Sequence, residues 1–215
     1  MEKESYSMFN VCPRCGEYRV EKVIDRTGPF AICPVCQYHY PFVQLPLFLI
    51  TGASGVGKTT ICLALASELR GECVVLETDI LWGATNVSDE DYVSVWLRMA
   101  KNIQQSGLAV VLCGSLLPER CASSPEGRFF SEIHALAMVC NDELLAQRLH
   151  DRPVWRQTHA PEVIERMISF QQYFREQAAT SPERVTLYDT GQHSLEETVQ
   201  AVATWIRERL PEDAY

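Results

Sequence analysis

No apolar run in this chain approaches the ~20 residues that a bilayer-spanning helix needs, which argues against a membrane protein. Basic residues are not in excess: 19 Lys and Arg stand against 28 Asp and Glu, for a net charge of −9. No global positive field therefore draws the chain to nucleic acid or anionic lipid, though a local basic patch is compatible with that balance. Internal repeats and low-complexity tracts are also lacking, which excludes solenoids and compositional linkers. The first residues, Met1, Glu2, Lys3 and Glu4, show no signal-peptide pattern. Nine cysteines, an odd number, then point to a reducing cytoplasmic setting rather than a disulfide framework. One local absence matters later: the apolar stretch 108–113 contains no acidic residue.

What is present centres on residues 52–59: Gly52, Ala53, Ser54, Gly55, Val56, Gly57, Lys58 and Thr59, with Thr60 next. This is G-x-x-x-x-G-K-T, the phosphate-binding loop of nucleoside triphosphatases. Residues 45–50 before it read as a buried strand, and 60–70 after it as a helix with a stripe of Ile61, Leu65 and Leu69 widened by Leu63 and Ala66. The glycines let backbone amides face phosphates, and the helix N-terminus adds partial positive charge. Lys58 is expected to reach the β- and γ-phosphates and Thr59 to hold Mg²⁺. A plain glycine-rich turn is the alternative, but strand, loop and helix all agree with a triphosphate site.

Cys12 and Cys15, then Cys33 and Cys36, form two C-x₂-C knuckles separated by seventeen residues. Four thiolates so spaced can close a tetrahedral Zn²⁺ site. A redox dithiol or an iron site are the competing readings. Residues 18–24 and 30–32 would supply short strands, with 25–29 as the turn. So small a module depends on metal for most of its folding energy. His39 reads as a surface residue. Tyr38, Tyr40 and Phe42 could pack the ribbon onto the rest, and Pro41 and Pro46 mark a stiff boundary.

Residues 72–77 read as the second strand, ending at Thr78 and Asp79. Ligands of open parallel sheets sit at strand C-termini, so Asp79 can orient an acceptor hydroxyl and take its proton. A capping role is the bland alternative, and Glu77 is the weaker candidate. Trp82 lines an acceptor pocket or fills a gap. Ser88 caps a helix running to about Gln105, with Tyr92, Val95, Trp96, Met99 and Ile103 on its apolar face. The third strand, 108–113, lacks a Walker-B acid, so Mg²⁺ falls to Thr59, the phosphates, water and Asp79 or Glu77. Ser115 follows it. The fourth strand, 135–140, leads to Arg148, Arg152 and Arg156, spaced by four. Planar guanidiniums suit a transferring phosphoryl, although a solvated, salt-bridged helix has the same pattern. Pro153 should break that helix. A helix from Pro161, a fifth strand at 184–189, a turn at 190–193 that could line a base, and a closing helix from Leu195 complete the chain.

From residue 45 to 210 this order resembles the small P-loop kinases: nucleoside and nucleotide kinases, shikimate kinase, gluconate kinase and relatives. Cys113, Gly114, Ser115, Leu116 and Leu117 resemble an Ala-Cys-Ser-Ala-Leu stretch of gluconokinases. The resemblance implies an α/β three-layer sandwich around a five-stranded parallel sheet ordered 2-3-1-4-5. It implies ATP and Mg²⁺ as cofactors, Lys58, Asp79 and some of Arg148, Arg152 and Arg156 as catalytic, and an adenine loop near 189–193. The expected organisation is a zinc ribbon over 1–44 and a kinase-like domain over 45–215 with a lid around 142–160. The expected activity is phosphoryl transfer to a small hydroxyl or phosphate acceptor, a nucleoside, nucleotide or related metabolite. The ribbon could instead grip nucleic acid, as in a 5′-hydroxyl polynucleotide kinase, or a protein, as in a nucleotide-driven switch.

Overall fold

The computed structural model describes residues 10–19, 21–81 and 88–211. Val20, in the expected first ribbon strand, and Trp82 lie outside them. Three short strands, β1 (Val23–Asp25), β2 (Phe30–Ile32) and β3 (His39–Pro41), make an antiparallel sheet in sequence order. The third of these was not expected from sequence, because two tyrosines and a proline obscure its alternation.

The rest alternates strand and helix: β4 (Leu47–Gly52), α1 (Lys58–Glu68), β5 (Cys73–Glu77), α2 (Asp89–Ile103), β6 (Ala109–Cys113), α3 (Pro118–Ser123), β7 (Ile133–Val139), α4 (Asp142–His150), α5 (Pro161–Thr180), β8 (Val185–Asp189) and α6 (Leu195–Arg207). The five strands β4–β8 are parallel in the order β5-β6-β4-β7-β8. In strand rank this is 2-3-1-4-5, as the resemblance implied. Side chains alternate across the sheet. Leu47 and Leu49 join Trp96, Leu97 and Phe174 on one face, while Phe48 and Ile50 join Ile61, Leu65, Val202 and Ile206 on the other. Helices therefore cover both faces, as a parallel sheet requires.

Two expected helix faces are corrected. On α1, Leu63 is 69% exposed and Ala66 is also outside, so the buried stripe is Ile61, Cys62, Leu65 and Leu69. On α2 the buried face is Val93, Trp96, Leu97 and Ala100, extended by Lys101 and Gln104, while Met99 is exposed. The rotation has a cause outside the helix. Lys101 Nζ donates to Asn10 Oδ1 at 2.8 Å and lies over the Phe129 ring. Gln104 donates to Pro46 O. The N-terminal segment covers that side of α2 and buries polar residues there.

The ribbon is also held by rings and backbone. Tyr40 and Phe42 are buried with Ala31 and Phe129, and the Phe42 and Phe129 rings meet edge to face at 5.7 Å. Tyr38 stays partly exposed against Tyr40. Gln105 makes reciprocal hydrogen bonds to the backbone of Val43. Glu126, fully buried, pairs with Arg98 at 2.8 Å.

Candidate functional site

The loop between β4 and α1 is shaped by positive-φ glycines. Gly52 has φ 133°, and a Cβ there would strike the Met138 carbonyl oxygen of the neighbouring strand. Gly57, at φ 101°, opens α1 with no side-chain cap and no acid in the first turn. The helix amides are thus left facing the loop, an arrangement that suits an anion. Lys58 Nζ donates to Gly52 O and Ala53 O, each at 2.8 Å. Burial pulls its pKa down to about 8, against the opposing pull of Asp79. The Thr59 hydroxyl donates to Glu77 Oε1 at 2.5 Å. The sequence left Asp79 and Glu77 as alternatives beside Thr59, and the hydrogen bond selects Glu77, a contact that depends on β5 passing beside α1.

A cleft of about 210 Å³ is lined by Ser54, Gly57, Lys58, Thr59, Asp79, Arg148 and Arg152 among others. Asp79 also lines a second pocket of about 260 Å³ with Tyr92, Ser115, Arg120 and Phe170. This carboxylate therefore stands on the wall the two cavities share. Ser115 Oγ donates to Gly52 O at 3.3 Å, and Tyr92 OH to Thr78 O at 2.6 Å, fixing the floor between them. Arg120, on α3, was missed from sequence. Its only signal was a basic residue just after the Ser115 strand exit, in a stretch where no helix was expected.

Of the three spaced arginines, two reach the loop. Arg152 Nη1 donates to Ser54 Oγ at 2.6 Å. Arg148 donates to the Thr190 hydroxyl at 3.2 Å and to its carbonyl at 3.3 Å. Arg156 is elsewhere: α4 ends at His150, and beyond Pro153 a turn of 3₁₀ helix, Val154–Arg156, places its guanidinium over the exposed Trp155 ring at 4.5 Å. A third cavity, of about 280 Å³, continues from Gly55 and Gly57 to Thr190, His193 and Leu195. The turn read from sequence as a base-lining segment thus borders the loop. Uncapped helix amides, one lysine and two arginines around a cleft, with Thr59 and Glu77 as hard oxygen donors, fit a triphosphate and its divalent cation.

The four knuckle cysteines converge, their sulfur atoms all within 4.8 Å of one another. Cys12 and Cys36 Sγ are 3.6 Å apart, and Cys15 and Cys33 3.8 Å. A tetrahedral ion with ~2.3 Å bonds to sulfur has edges of ~3.8 Å, so the set fits such a metal. Both knuckles turn alike: Gly16 N donates to Cys12 O and Gln37 N to Cys33 O, and both Gly16 and Gln37 take positive φ. The amides of Cys36 and Val35 pull the Cys33 thiol down to about 6, toward the thiolate a metal needs. His39 lies on β3 against Phe30, apart from the cluster. The remaining five cysteines are buried and unpaired.

Residues 49–167, more than half of the chain, match the sequence profile of the AAA domain. The replication factor C small subunit of Methanothermobacter thermautotrophicus is 40% identical over 60 residues, 28% of this chain and 19% of that protein. The chain therefore matches only about a fifth of that relative's length. A solved sugar kinase from Janibacter sp. HTCC2649 superposes with a TM-score of 0.55 at 16% identity, covering 76% of this chain and 95% of its own. APE1195 superposes at 0.52 with 18% identity, covering 78% and 97%. At these identities the likeness is one of fold, that of the P-loop kinase-like sandwich. Among the described residues no helix is long and apolar enough to cross a membrane.

Proposed function

The chain belongs to the AAA domain family, and from that premise we propose that it is an ATP-dependent phosphotransferase acting on a small acceptor. The observation that carries this reading is Asp79, shared between the phosphate-loop cleft and the pocket of Arg120 and Ser115. A nucleotide hydrolase needs only a water beside the cleft. A walled pocket beyond a carboxylate provides for a second substrate.

In this mechanism the amides of residues 52–59 and Lys58 hold the triphosphate, Lys58 leaving its loop carbonyls to do so. Thr59 and Glu77 would hold Mg²⁺, which neutralises phosphate charge when bound. Asp79 accepts the proton of the acceptor hydroxyl as that oxygen bonds to the γ-phosphorus. The bond to the departing ADP breaks, and Arg148 and Arg152 balance charge on the moving group. A phosphate acceptor would need no base, and Asp79 would then only orient it. Arg120 faces the acceptor, which favours one with an anionic group. At about 260 Å³ the pocket suits a sugar acid or similar hydroxylated metabolite better than a whole nucleotide. Residues 142–160, with Arg156 at their exposed tip, act as the lid, and 1–44 as a Zn²⁺ ribbon appended to the 45–215 domain.

The test is an acceptor panel with γ-labelled ATP: sugars, sugar acids, nucleosides, nucleotides and 5′-hydroxyl oligonucleotides. Label transfer to one small-acceptor class supports the proposal. ATP hydrolysis that no acceptor accelerates would replace it with a nucleotide-driven switch, and transfer to oligonucleotides alone with a polynucleotide kinase.

A further inference from the structure

At the other end of the sheet lies a cavity of about 820 Å³, several times larger than either pocket at Asp79. Its wall includes Ile133 and Val185, the first residues of β7 and β8, so it sits at the amino ends of the strands. The phosphate loop is at their carboxyl ends. The ribbon closes one side of this cavity with β1 and Arg26, and α3 closes another.

Three arginines, Arg26, Arg128 and Arg184, line it. Arg26 donates one N–H to Ser131 O at 2.7 Å, and Arg128 one to Lys22 O at 3.2 Å. A guanidinium has five N–H donors, and among the described residues neither pairs with a carboxylate. Arg184 has only its neighbour Glu183, 3.9 Å away, with both side chains exposed. Two acids also stand on the wall, and their contacts do not neutralise them: Glu119 accepts from Tyr173 OH at 2.7 Å, and the exposed Glu132 lies 3.1 Å from His134, whose burial favours the neutral ring, so three arginines face two carboxylates. The rest of the wall is mixed, with Val23, Ile24 and Phe130 as its apolar part and Ser123, Ser131 and Gln177 among its polar groups.

We propose that this cavity binds a small organic anion, a carboxylate, sulfonate or phosphate joined to an apolar body, and that the ribbon exists in part to complete it. The N–H groups that Arg26 and Arg128 do not donate to Ser131 O and Lys22 O recognise the anionic head, with Arg184 adding positive charge, and Val23, Ile24 and Phe130 cover the body. The volume is in the range of sites that hold a ligand of drug or nucleotide size, and the exposed arginines make it a groove open on one side. The cavity also has a route to the active site. α3 gives Glu119 and Ala122 to the cavity and Arg120 to the pocket of Asp79. A ligand that shifts this six-residue helix moves Arg120, so occupancy should alter acceptor affinity. That coupling rests on the proposed function, whereas the binding site does not.

The probe is 8-anilinonaphthalene-1-sulfonate, an anion with an apolar body, added to the full-length, metal-loaded protein with the phosphate loop saturated by a non-hydrolysable ATP analogue. Saturable fluorescence enhancement is expected, with an affinity lowered at least ~10-fold in the double variant Arg26→Glu, Arg128→Glu. That variant cuts two hydrogen bonds between the ribbon and the main domain, so Arg184→Glu, which cuts none of them, is the second arm and should weaken the probe at least ~3-fold. Circular dichroism and thermal melts confirm the fold of each. Non-saturable enhancement, or an equal affinity in wild type and folded Arg184→Glu, overturns the site whatever the fate of the kinase assay.

Discussion

The hydroxyl of Thr59, in the first turn of α1, donates to the carboxylate of Glu77 at the end of β5. Two residues on, Asp79 lines both the phosphate-loop cleft and the pocket of Ser115 and Arg120. The two carboxylates at one strand end therefore have different surroundings, and the proposed mechanism gives them separate tasks. Glu77→Gln should raise the Mg²⁺ concentration for half-maximal transfer by about tenfold or more, with Mg²⁺-free nucleotide binding unchanged. Asp79→Asn should lower transfer by about 10²-fold, with ATP binding kept. Mg²⁺ titrations and nucleotide-binding isotherms on both variants decide it. Identical behaviour of the two would merge their roles.

Lys58 sets a pH dependence of binding. Burial holds its pKa near about 8 in the free protein. Bound phosphates favour the charged form, so binding raises that pKa. Below about 8 the lysine is protonated before and after binding, and affinity is flat with respect to this group. Above it, binding must take up a proton, and affinity should fall by up to about tenfold per pH unit. Isothermal titration from pH 7 to 9.5 measures this slope. Lys58→Arg, charged throughout the range, should flatten it, while Lys58→Ala should abolish most transfer in a folded protein.

Much of this site is written locally, and those parts are legible in the sequence. The phosphate loop and each knuckle close within a few residues, so their spacing states their geometry. The sheet order came from resemblance, because strand adjacency is a long-range property. Arg120 was missed for that reason: it shares a pocket with Asp79 only because β5 and β6 are neighbours. The face of α2 was misread because burial there is imposed by the N-terminal segment. Lys22, Lys101 and Glu126 are fully covered, although charged residues are seldom buried. Gly114 shows the same limit. Nothing local marks it, yet a Cβ there would collide with the Thr78 hydroxyl across the two strand ends.

The arginines should separate by position. Arg152, bonded to Ser54, and Arg148 both line the phosphate-loop cleft. Arg152→Ala is expected to lower kcat by about 10²-fold with little change in thermal stability. Arg156 now stacks on Trp155, which is 71% exposed. If the lid closes over nucleotide, that indole leaves water, and its emission should shift to the blue on adding a non-hydrolysable ATP analogue. Trp155→Phe should remove the shift and Trp82→Phe should leave it, since Trp96 and Trp205 are already buried. An unchanged spectrum would make this segment a static surface turn and Arg156 a bystander.

The ribbon should stand or fall with its metal. Its own apolar cluster among the described residues is four side chains, Ala31, Tyr40, Phe42 and Phe129, and the last belongs to the main domain. So small a core cannot offset the chain entropy of ordering some thirty residues, whereas ligation of one ion can. Four thiolates would leave no open position for water, so an ion held there would be structural. Elemental analysis should give about one zinc per chain, separate from any Mg²⁺ that follows nucleotide. Cys33→Ser should lower that ratio and make the first forty residues protease-sensitive. The main sheet keeps its two helical layers without the ribbon, so ATP binding should persist. Two further losses should track the metal. The contact of Arg98 with Tyr18 is lost, and the wall carrying Arg26 disappears from the large cavity, so anilinonaphthalene sulfonate binding should fall together with zinc content. Should oligonucleotide phosphorylation alone vanish in Cys33→Ser, the ribbon is a nucleic-acid grip. A metal-free wild type with a Cys12–Cys15 disulfide would instead make it a redox element, and the sulfur spacing of 3.6 Å between Cys12 and Cys36 would then need another explanation.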